Sequence, residues 1–372
     1  MIFNRHQIKS ILESKCGGKV AAMAKMLEAD LMLPATDPNH IDVGNFSLRE
    51  TAEGCGIDTA QSHIMVESVG AAQFSTIVGT LLSKIVMDAF TAAAKIADQL
   101  VTPFTSNQET DKIPGAYLSG DMEDIVEKGK YPHLANINDK YAEIGHGKRG
   151  LILDITDEAV RFDQTGLVMK RAADMGELMA IDRETRAINT IQDITGYYAW
   201  YPSGSRVALY NDATTAPHTL DNLTTDILAD YTDLRALYNL LRLMKDDNGK
   251  YIFVQPKILL VPIALEITAR RIIVNDVLPG GANNERNPFA NMFTILSSPL
   301  LDAQSSVIWY LGDFKKQFME KIVIPMEVRQ RSYNDNNDDA WESDIVASYK
   351  IRYDSKVGAI DYRYVGKSTG AA

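Results

Sequence analysis

The stretch Trp309-Tyr310-Leu311-Gly312-Asp313 leads to Met326-Glu327-Val328-Arg329, then to an asparagine- and aspartate-rich gap. The chain then closes with Tyr349-Lys350-Ile351-Arg352-Tyr353-Asp354-Ser355-Lys356-Val357-Gly358-Ala359-Ile360-Asp361-Tyr362-Arg363. This part is rich in aromatic and β-branched residues, which predicts strands, and it carries both charges at high density. It holds no recognisable nucleophile and no metal-ligand set. Such a terminus is better suited to completing a sheet and touching neighbouring copies than to performing chemistry, which turns the search from an active site to an assembly.

Bulk properties agree with an ordinary globular protein. At 372 residues the chain can bury a sizeable core in two or three structural units. Hydrophobic residues make up 45% and charged residues 23%, the usual soluble range. A net charge of -11 argues against a surface that grips nucleic acid throughout, although one small basic face stays compatible with it. Cys16 and Cys55 lie far apart in no disulfide pattern, so a reducing cytoplasm is the expected place of synthesis. The start Met1-Ile2-Phe3-Asn4-Arg5-His6 lacks the charged and apolar regions of an export signal. No apolar run approaches the roughly 18 residues of a membrane span, so no membrane partner is expected.

Along the chain, residues 4–33 read as helix in two pieces, and Ser47 is a plausible cap for another. Residues 73–100 form the strongest periodic segment, with Phe74, Ile77, Val78, Leu81, Leu82, Ile85, Ala89 and Phe90 on one stripe, closed by Pro103. Residues 112–156 change character: Pro114-Gly115, Gly120-Asp121, Gly129, Pro132 and Gly145-His146-Gly147 punctuate short strand-like runs. Tyr141–Ile144 is expected to pair with Leu151–Ile155 across the glycine turn. So long a stretch with little helix signal suggests a projecting functional arm. A second long helix starts at Thr156-Asp157-Glu158 and carries Val168, Ala172, Met175, Met179, Ile188 and Ile191, with candidate breaks at Gly166 and Gly176. Its length of about 25 residues makes a strut of roughly 35–40 Å. Beyond it come short strands around Tyr197–Tyr201, a helix with Leu234, Leu237, Leu240, Leu241 and Met244, and a buried strand Lys257–Pro262. A helix over Ile263–Val274 and strands at Phe293–Leu296 and Ser306–Leu311 complete a mixed α+β unit.

Candidate chemistry is sparse. His6, His40, His63, His133, His146 and His218 are scattered without a local pair, so no metal site is expected. Asp335, Asp338 and Asp339 resemble the start of a calcium loop, but Ala340 replaces the turn glycine, and a solvated loop is the better reading. Gly280-Gly281 lacks phosphate-loop spacing. Leu48–Ile57 has the alanine and glycine spacing of a helix-turn-helix, yet Ser62 stands where the second helix needs an aliphatic residue, and few bases accompany it. Nothing supports an enzyme or a cofactor.

The ordered blocks resemble the major capsid protein family of tailed bacteriophages with the Hong Kong 97 fold. The likeness is to the capsid part of prohead protease/major capsid fusions, and more distantly to the phage Mu head subunit. The blocks are Ser47-Leu48-Arg49-Glu50 through Gly56 with the helix after it; Glu127-Lys128-Gly129-Lys130-Tyr131-Pro132; and Ile155–Asp163. Pro256–Pro262 with Leu265-Glu266 and Ala269, then Asn287-Pro288, Trp309-Tyr310-Leu311 and the closing Asp361-Tyr362-Arg363, complete them. The resemblance implies an N-terminal arm (1–70), a helix leading into the peripheral domain (71–111) and an extended β-hairpin loop (112–156). It further implies a peripheral domain with spine helix and C-terminal strand (157–219 and 341–372) and an axial domain (220–340).

The implied function is a head subunit that self-assembles as hexamers and pentamers into an icosahedral shell around double-stranded DNA, without catalysis, in the virion, after assembly in the host bacterial cytoplasm. Implied partners are portal and head-completion proteins, with scaffold and prohead protease as separate chains or dispensable, and DNA held by weak non-specific contact. Glu127, Lys130, Tyr131, Lys140, Lys148, Arg149, Asp354, Lys356, Asp361 and Arg363 are the expected inter-subunit contacts. Some relatives crosslink through a lysine; Lys140 or Lys148 has a suitable position, but no residue identifies its partner. An encapsulin-type compartment is the nearest alternative, ahead of a DNA-binding regulator or an enzyme.

Overall fold

The computed structural model describes residues 69–93, 96–114, 124–125, 127, 130, 141–162, 167–194, 198–200, 205–212, 221–245, 250–275, 286–332 and 344–370. The helices expected within 4–33, the cap at Ser47, the helix-turn-helix reading, the glycine tip at Gly280 and the aspartate loop after Asn334 lie outside these residues.

In chain order the elements are α1 (Val69–Ala93), α2 (Ala97–Leu100), β1 (Thr102–Thr105), β2 (Asp111–Pro114), β3 (Tyr141–Ile144), β4 (Lys148–Thr156), α3 (Asp157–Phe162) and α4 (Leu167–Gln192). There follow β5 (Tyr198–Trp200), β6 (Ser205–Val207), β7 (Leu223–Thr224), α5 (Tyr231–Arg242), β8 (Ile258–Pro262), α6 (Ile263–Val274), β9 (Thr294–Ser298) and α7 (Pro299–Asp302). The last are β10 (Trp309–Gly312), α8 (Phe314–Gln317), β11 (Phe318–Ser332), β12 (Ile345–Ala359) and β13 (Val365–Ser368). They fall into two compact units: residues 1–94, 148–182 and 324–354 form the first, and 95–147, 183–323 and 355–372 the second.

In the first unit, β12 pairs with β4 from Ile345↔Thr156 to Asp354↔Lys148, and β11 flanks β12 on its other side. The register puts Ile155, Leu153, Leu151 and Arg149 opposite Ala347, Tyr349, Ile351 and Tyr353 on one face. That face meets α1, where the Phe90 and Tyr353 rings lie 6.1 Å apart and Gly79 sits against Tyr349 and Gln330. Of the expected stripe Val78, Leu81 and Leu82 are buried, while Ile85 is half-buried and Val86, outside the stripe, takes the buried place beside it. The candidate break at Gly176 is not one: α4 runs through it for 26 residues. A Cβ there would stand 2.5 Å from the Val86 carbonyl oxygen, so glycine lets the α1 backbone come close. Tight packing offsets the helix-propensity loss of about 1 kcal/mol.

The pairing expected between Tyr141–Ile144 and Leu151–Ile155 is absent. β3 pairs with β2 (Asp111↔Ile144 to Pro114↔Tyr141), and β4 pairs with β12. A four-residue β3 cannot compete with β12, which satisfies β4 along its length and gives Ile155 a buried position.

The second unit is built on a five-stranded sheet in the order β7-β13-β10-β8-β9. The runs Trp309-Tyr310-Leu311 and Ile258–Pro262 alternate between two cores. Trp309, Leu311, Leu259 and Val261 point to α5 and α6, while Tyr310 and Leu260 point to Leu100, Ile188, Phe314 and Phe318. Burial on both faces explains why these strands read as unbroken apolar runs. Asp230 caps α5 by accepting from Thr232 N at 2.7 Å, and Asp233 reciprocates, a complete capping box. α6 follows Pro262 as expected, and the Asp302 carboxylate accepts from Ile263 N at 2.7 Å. Asn287 closes its far end by donating to the Ile272 and Asn275 carbonyls.

The closing segment is not one strand. β12 ends at Ala359, and after a bend β13 runs antiparallel to β10 with Trp309↔Ser368. Pro103, expected to close a helix, lies in β1 at the edge of its sheet, where a missing N–H is harmless.

Candidate functional site

The most built polar construction in the second unit lies at the root of the expected arm. Within Phe318-Met319-Glu320-Lys321-Ile322-Val323, two charged residues interrupt an apolar run on β11, and both are fully buried. Lys321 Nζ donates to the Gln108 carbonyl at 2.7 Å and forms an ion pair with Asp111 Oδ2 at 2.7 Å. Ser106 Oγ donates to Asp111 Oδ1 at 2.9 Å and accepts from Gln108 N at 3.2 Å, while Ser106 N donates to the Ile322 carbonyl at 3.1 Å. The Lys321 hydrogen bond, with that of Ser106, holds the Asp111 carboxyl below its usual range. On the other side of β11, Glu320 receives Arg183 Nε at 3.0 Å and Nη2 at 2.6 Å, and Arg183 Nη1 also meets Asp98 at 2.7 Å. A buried charge is tolerated only when so paired.

Asp111 opens β2, so the clamp fixes the β2–β3 hairpin. Lys112 Nζ lies 4.7 Å from the Tyr141 ring centroid, and buried Ile144 packs against Gly358, where a Cβ would stand 2.7 Å from Ile144 Cγ1. Pro114 and Tyr141 are paired. Pro114 and Tyr141, the residues that bracket 115–140 in the sequence, therefore stand side by side in the β2–β3 ladder. Such a root can present a segment to another molecule from a fixed base.

The sequence-predicted contact residues do not form one cluster. Glu127 and Lys130 are exposed, as are Lys148 and Arg149 on β4 and Lys356 on β12. Tyr131 and Lys140 lie outside the described residues. Asp354 is buried, and Arg363 is only 1% exposed. Asp361 Oδ1 accepts from Tyr362 N, Arg363 N and Arg363 Nε at 2.7, 3.2 and 3.0 Å. Asp361 and Arg363 hold the bend between β12 and β13 of their own chain. Burial lowers the Arg363 pKa to about 10, which leaves it charged at neutral pH.

Sequence reasoning missed several organising residues. Gln317 is buried; its Oε1 accepts from Tyr364 N and Val365 N at 3.0 and 2.8 Å, and its carbonyl from Ile360 N at 2.9 Å. Asn222 accepts from Asn211 N and donates to the Leu209 and Tyr362 carbonyls. For Glu320-Lys321 the signal was present, since two charges inside an apolar strand demand partners. For lone amides no such signal exists. Among the described residues no group of His, Cys, Asp or Glu is placed to hold a metal, and no helix is long and apolar enough to cross a membrane.

A family model described as phage capsid protein matches residues 142–368, more than half of the chain. Among solved structures, the chain is similar to the capsid of the cyanophage P-SCSP1u, with 12% identity and a TM-score of 0.49 over 74% of this chain and 88% of that one. It is also similar to the capsid of a native GTA particle (9%, TM-score 0.49, 74% and 89%). A virus-like particle from Pyrococcus furiosus gives 10% and a TM-score of 0.42 over 77% and 97%. No curated protein matches the sequence.

Proposed function

The chain belongs to the phage capsid protein family, and on that premise we propose that it is the major head subunit of a tailed bacteriophage or prophage, self-assembling as hexamers and pentamers into an icosahedral shell around double-stranded DNA. As a member of that family it is a shell component used in many copies. The observation that carries the reading is the extent of the family match, which runs from the arm root to the closing strand.

In this reading, residues 115–140 reach from the β2–β3 root toward a neighbouring subunit. The five-stranded sheet with α5 and α6 corresponds to the axial domain, and α1, β4, α4 and the long strands to the peripheral domain of the Hong Kong 97 plan. Exposed Glu127, Lys130, Lys148, Arg149 and Lys356 are the contact residues, making individually weak, screened pairs that add up over many copies. A heterologous contact repeated around five or six subunits closes instead of propagating. Portal, head-completion, scaffold and protease partners, and assembly in the host cytoplasm, belong to the same proposal.

Negative-stain microscopy of the purified full chain tests it. Rings or closed shells are expected, and co-expression with its own head genes should fill them with DNA. A stable monomer or dimer across salt and crowding conditions would refute the reading. Shells that enclose a protein cargo instead of nucleic acid would point to an encapsulin-type compartment.

A further inference from the structure

We propose that Arg329 and Arg352, drawn together by Glu327 on the four-stranded sheet, form a clamp for phosphate groups. The site lies within a single subunit, so it stands or falls apart from the shell reading.

The two faces of the sheet differ. Tyr349, Ile351 and Tyr353 of β12 and Gln330 of β11 lie on the face that meets α1. Alternation along each strand therefore puts Glu327, Arg329 and Arg331 of β11, with Lys350 and Arg352 of β12, on the other face. There Glu327 Oε1 accepts from Arg329 Nε at 2.9 Å and from Arg352 Nε. One carboxylate oxygen thus takes the Nε edge of two guanidiniums and sets them side by side. Among the described residues no hydrogen bond engages the Nη atoms of either arginine. Gly150 stands directly opposite Arg352 in the β4–β12 ladder. A Cβ there would lie 2.6 Å from the Ile351 carbonyl oxygen, so the position demands glycine, and Arg352 has no cross-strand side chain on that flank. Glycine inside a strand marks places where a ligand can come close.

The chemistry selects the occupant. Each guanidinium keeps its Nη donors for a second anion, and a planar fork matches phosphate oxygens bidentately. Charge favours phosphate over a further carboxylate. Two arginines against one glutamate leave a single positive charge, and exposed Lys350, about 7 Å along β12 on the same face, adds a second. A terminal phosphoryl group carries about -1.5 to -2 and three acceptor oxygens, whereas a carboxylate brings one charge and two oxygens. Successive phosphodiesters of a nucleic acid can instead be met by Arg352 and Lys350 in turn. Free phosphate and a nucleic-acid backbone share this chemistry, and the test separates them.

The probes are inorganic pyrophosphate, read by titration calorimetry, and a fluorescein-labelled single-stranded DNA oligonucleotide, read by anisotropy. Both are added to the unassembled full chain at low, matched ionic strength. Wild type should bind pyrophosphate, and Arg329→Gln combined with Arg352→Gln should weaken binding about tenfold or more without changing the melting temperature. Arg329→Lys combined with Arg352→Lys keeps the charge but not the fork, so it should lose nearly as much. Pyrophosphate binding alone supports the clamp with free phosphate as its source. Binding of the oligonucleotide as well, displaced by pyrophosphate, supports it with a nucleic-acid backbone as the source. Failure of both probes to bind, equal binding of a glutamate-rich peptide, or wild-type binding by R329K/R352K would overturn the inference. The shell reading would survive each of those results, because microscopy of the full chain decides it separately.

Discussion

Replacing Trp309 tests the core of the second unit. Its side chain is fully buried among Leu259, Val261 and Leu311, and Nε1 donates to the Asp226 carbonyl at 3.1 Å. Ser368, directly opposite in the β10–β13 register, donates its hydroxyl to the same carbonyl at 2.6 Å. Trp309→Ala removes the largest fully buried side chain among the described residues and leaves a cavity, a loss of about 3–5 kcal/mol. Trp309→Phe keeps most of the apolar surface, and Ser368 still satisfies the carbonyl, so about 1–2 kcal/mol is expected. Ser368→Ala alone costs about 1 kcal/mol, because the indole remains. The double variant W309F/S368A strips that carbonyl of both donors, so its loss should exceed the sum of the singles by about 1–2 kcal/mol. Urea unfolding of the unassembled subunit, followed by far-UV circular dichroism, reads these differences without relying on the altered fluorophore. A Trp309→Ala loss below about 1 kcal/mol, or additivity within ~0.5 kcal/mol, would refute the shared-acceptor reasoning.

Other perturbations bear on the remaining packing and charge. Gly176→Ala should destabilise the first unit by about 1–3 kcal/mol, because the new methyl meets the Val86 carbonyl; a stabilised variant in thermal melts would contradict the close helix approach. Glu320→Ala should cost about 3–5 kcal/mol by removing the buried carboxylate that receives Arg183 Nε and Nη2, and Arg183→Met combined with Glu320→Leu should recover most of it in the same denaturation assay. Since the folded Asp111 pKa is lowered, its contribution is present above the ordinary carboxylate range near ~4 and lost as pH falls through the folded value. Acid titration of stability should therefore show a steeper loss below that range in wild type than in Asp111→Asn, and superimposable curves would exclude the clamp. Replacing residues 115–140 by a short turn between Pro114 and Tyr141 should leave the subunit's melting unchanged while abolishing shells under the microscope; an unfolded product would show that those residues complete a core.

Much of the architecture was legible before any coordinates. The stripe of α1, the start of α6 directly after Pro262 and the twin apolar strands β8 and β10 follow from periodicity and cap chemistry, which act over a few residues. The candidate site was less so. Lys148, Arg149 and Lys356 are exposed, whereas Asp354 is buried and Asp361 and Arg363 bond to each other, although all looked alike in sequence. A charged residue in a strand carries no mark of whether its face meets solvent or a core.

What the sequence by itself determined is which segments are helix or strand, where the polar arm interrupts them, and the family to which the ordered blocks belong. Local sterics and burial patterns decide those. Only the tertiary structure decided that β4 leaves its neighbour β3 for β12, that the closing segment splits between two sheets at a bend held by Gln317 and Asp361, and that a buried lysine on β11 fixes the arm's root. Partner choice depends on which distant backbone arrives to satisfy each strand edge and each buried charge, and no spacing along the chain encodes that arrival.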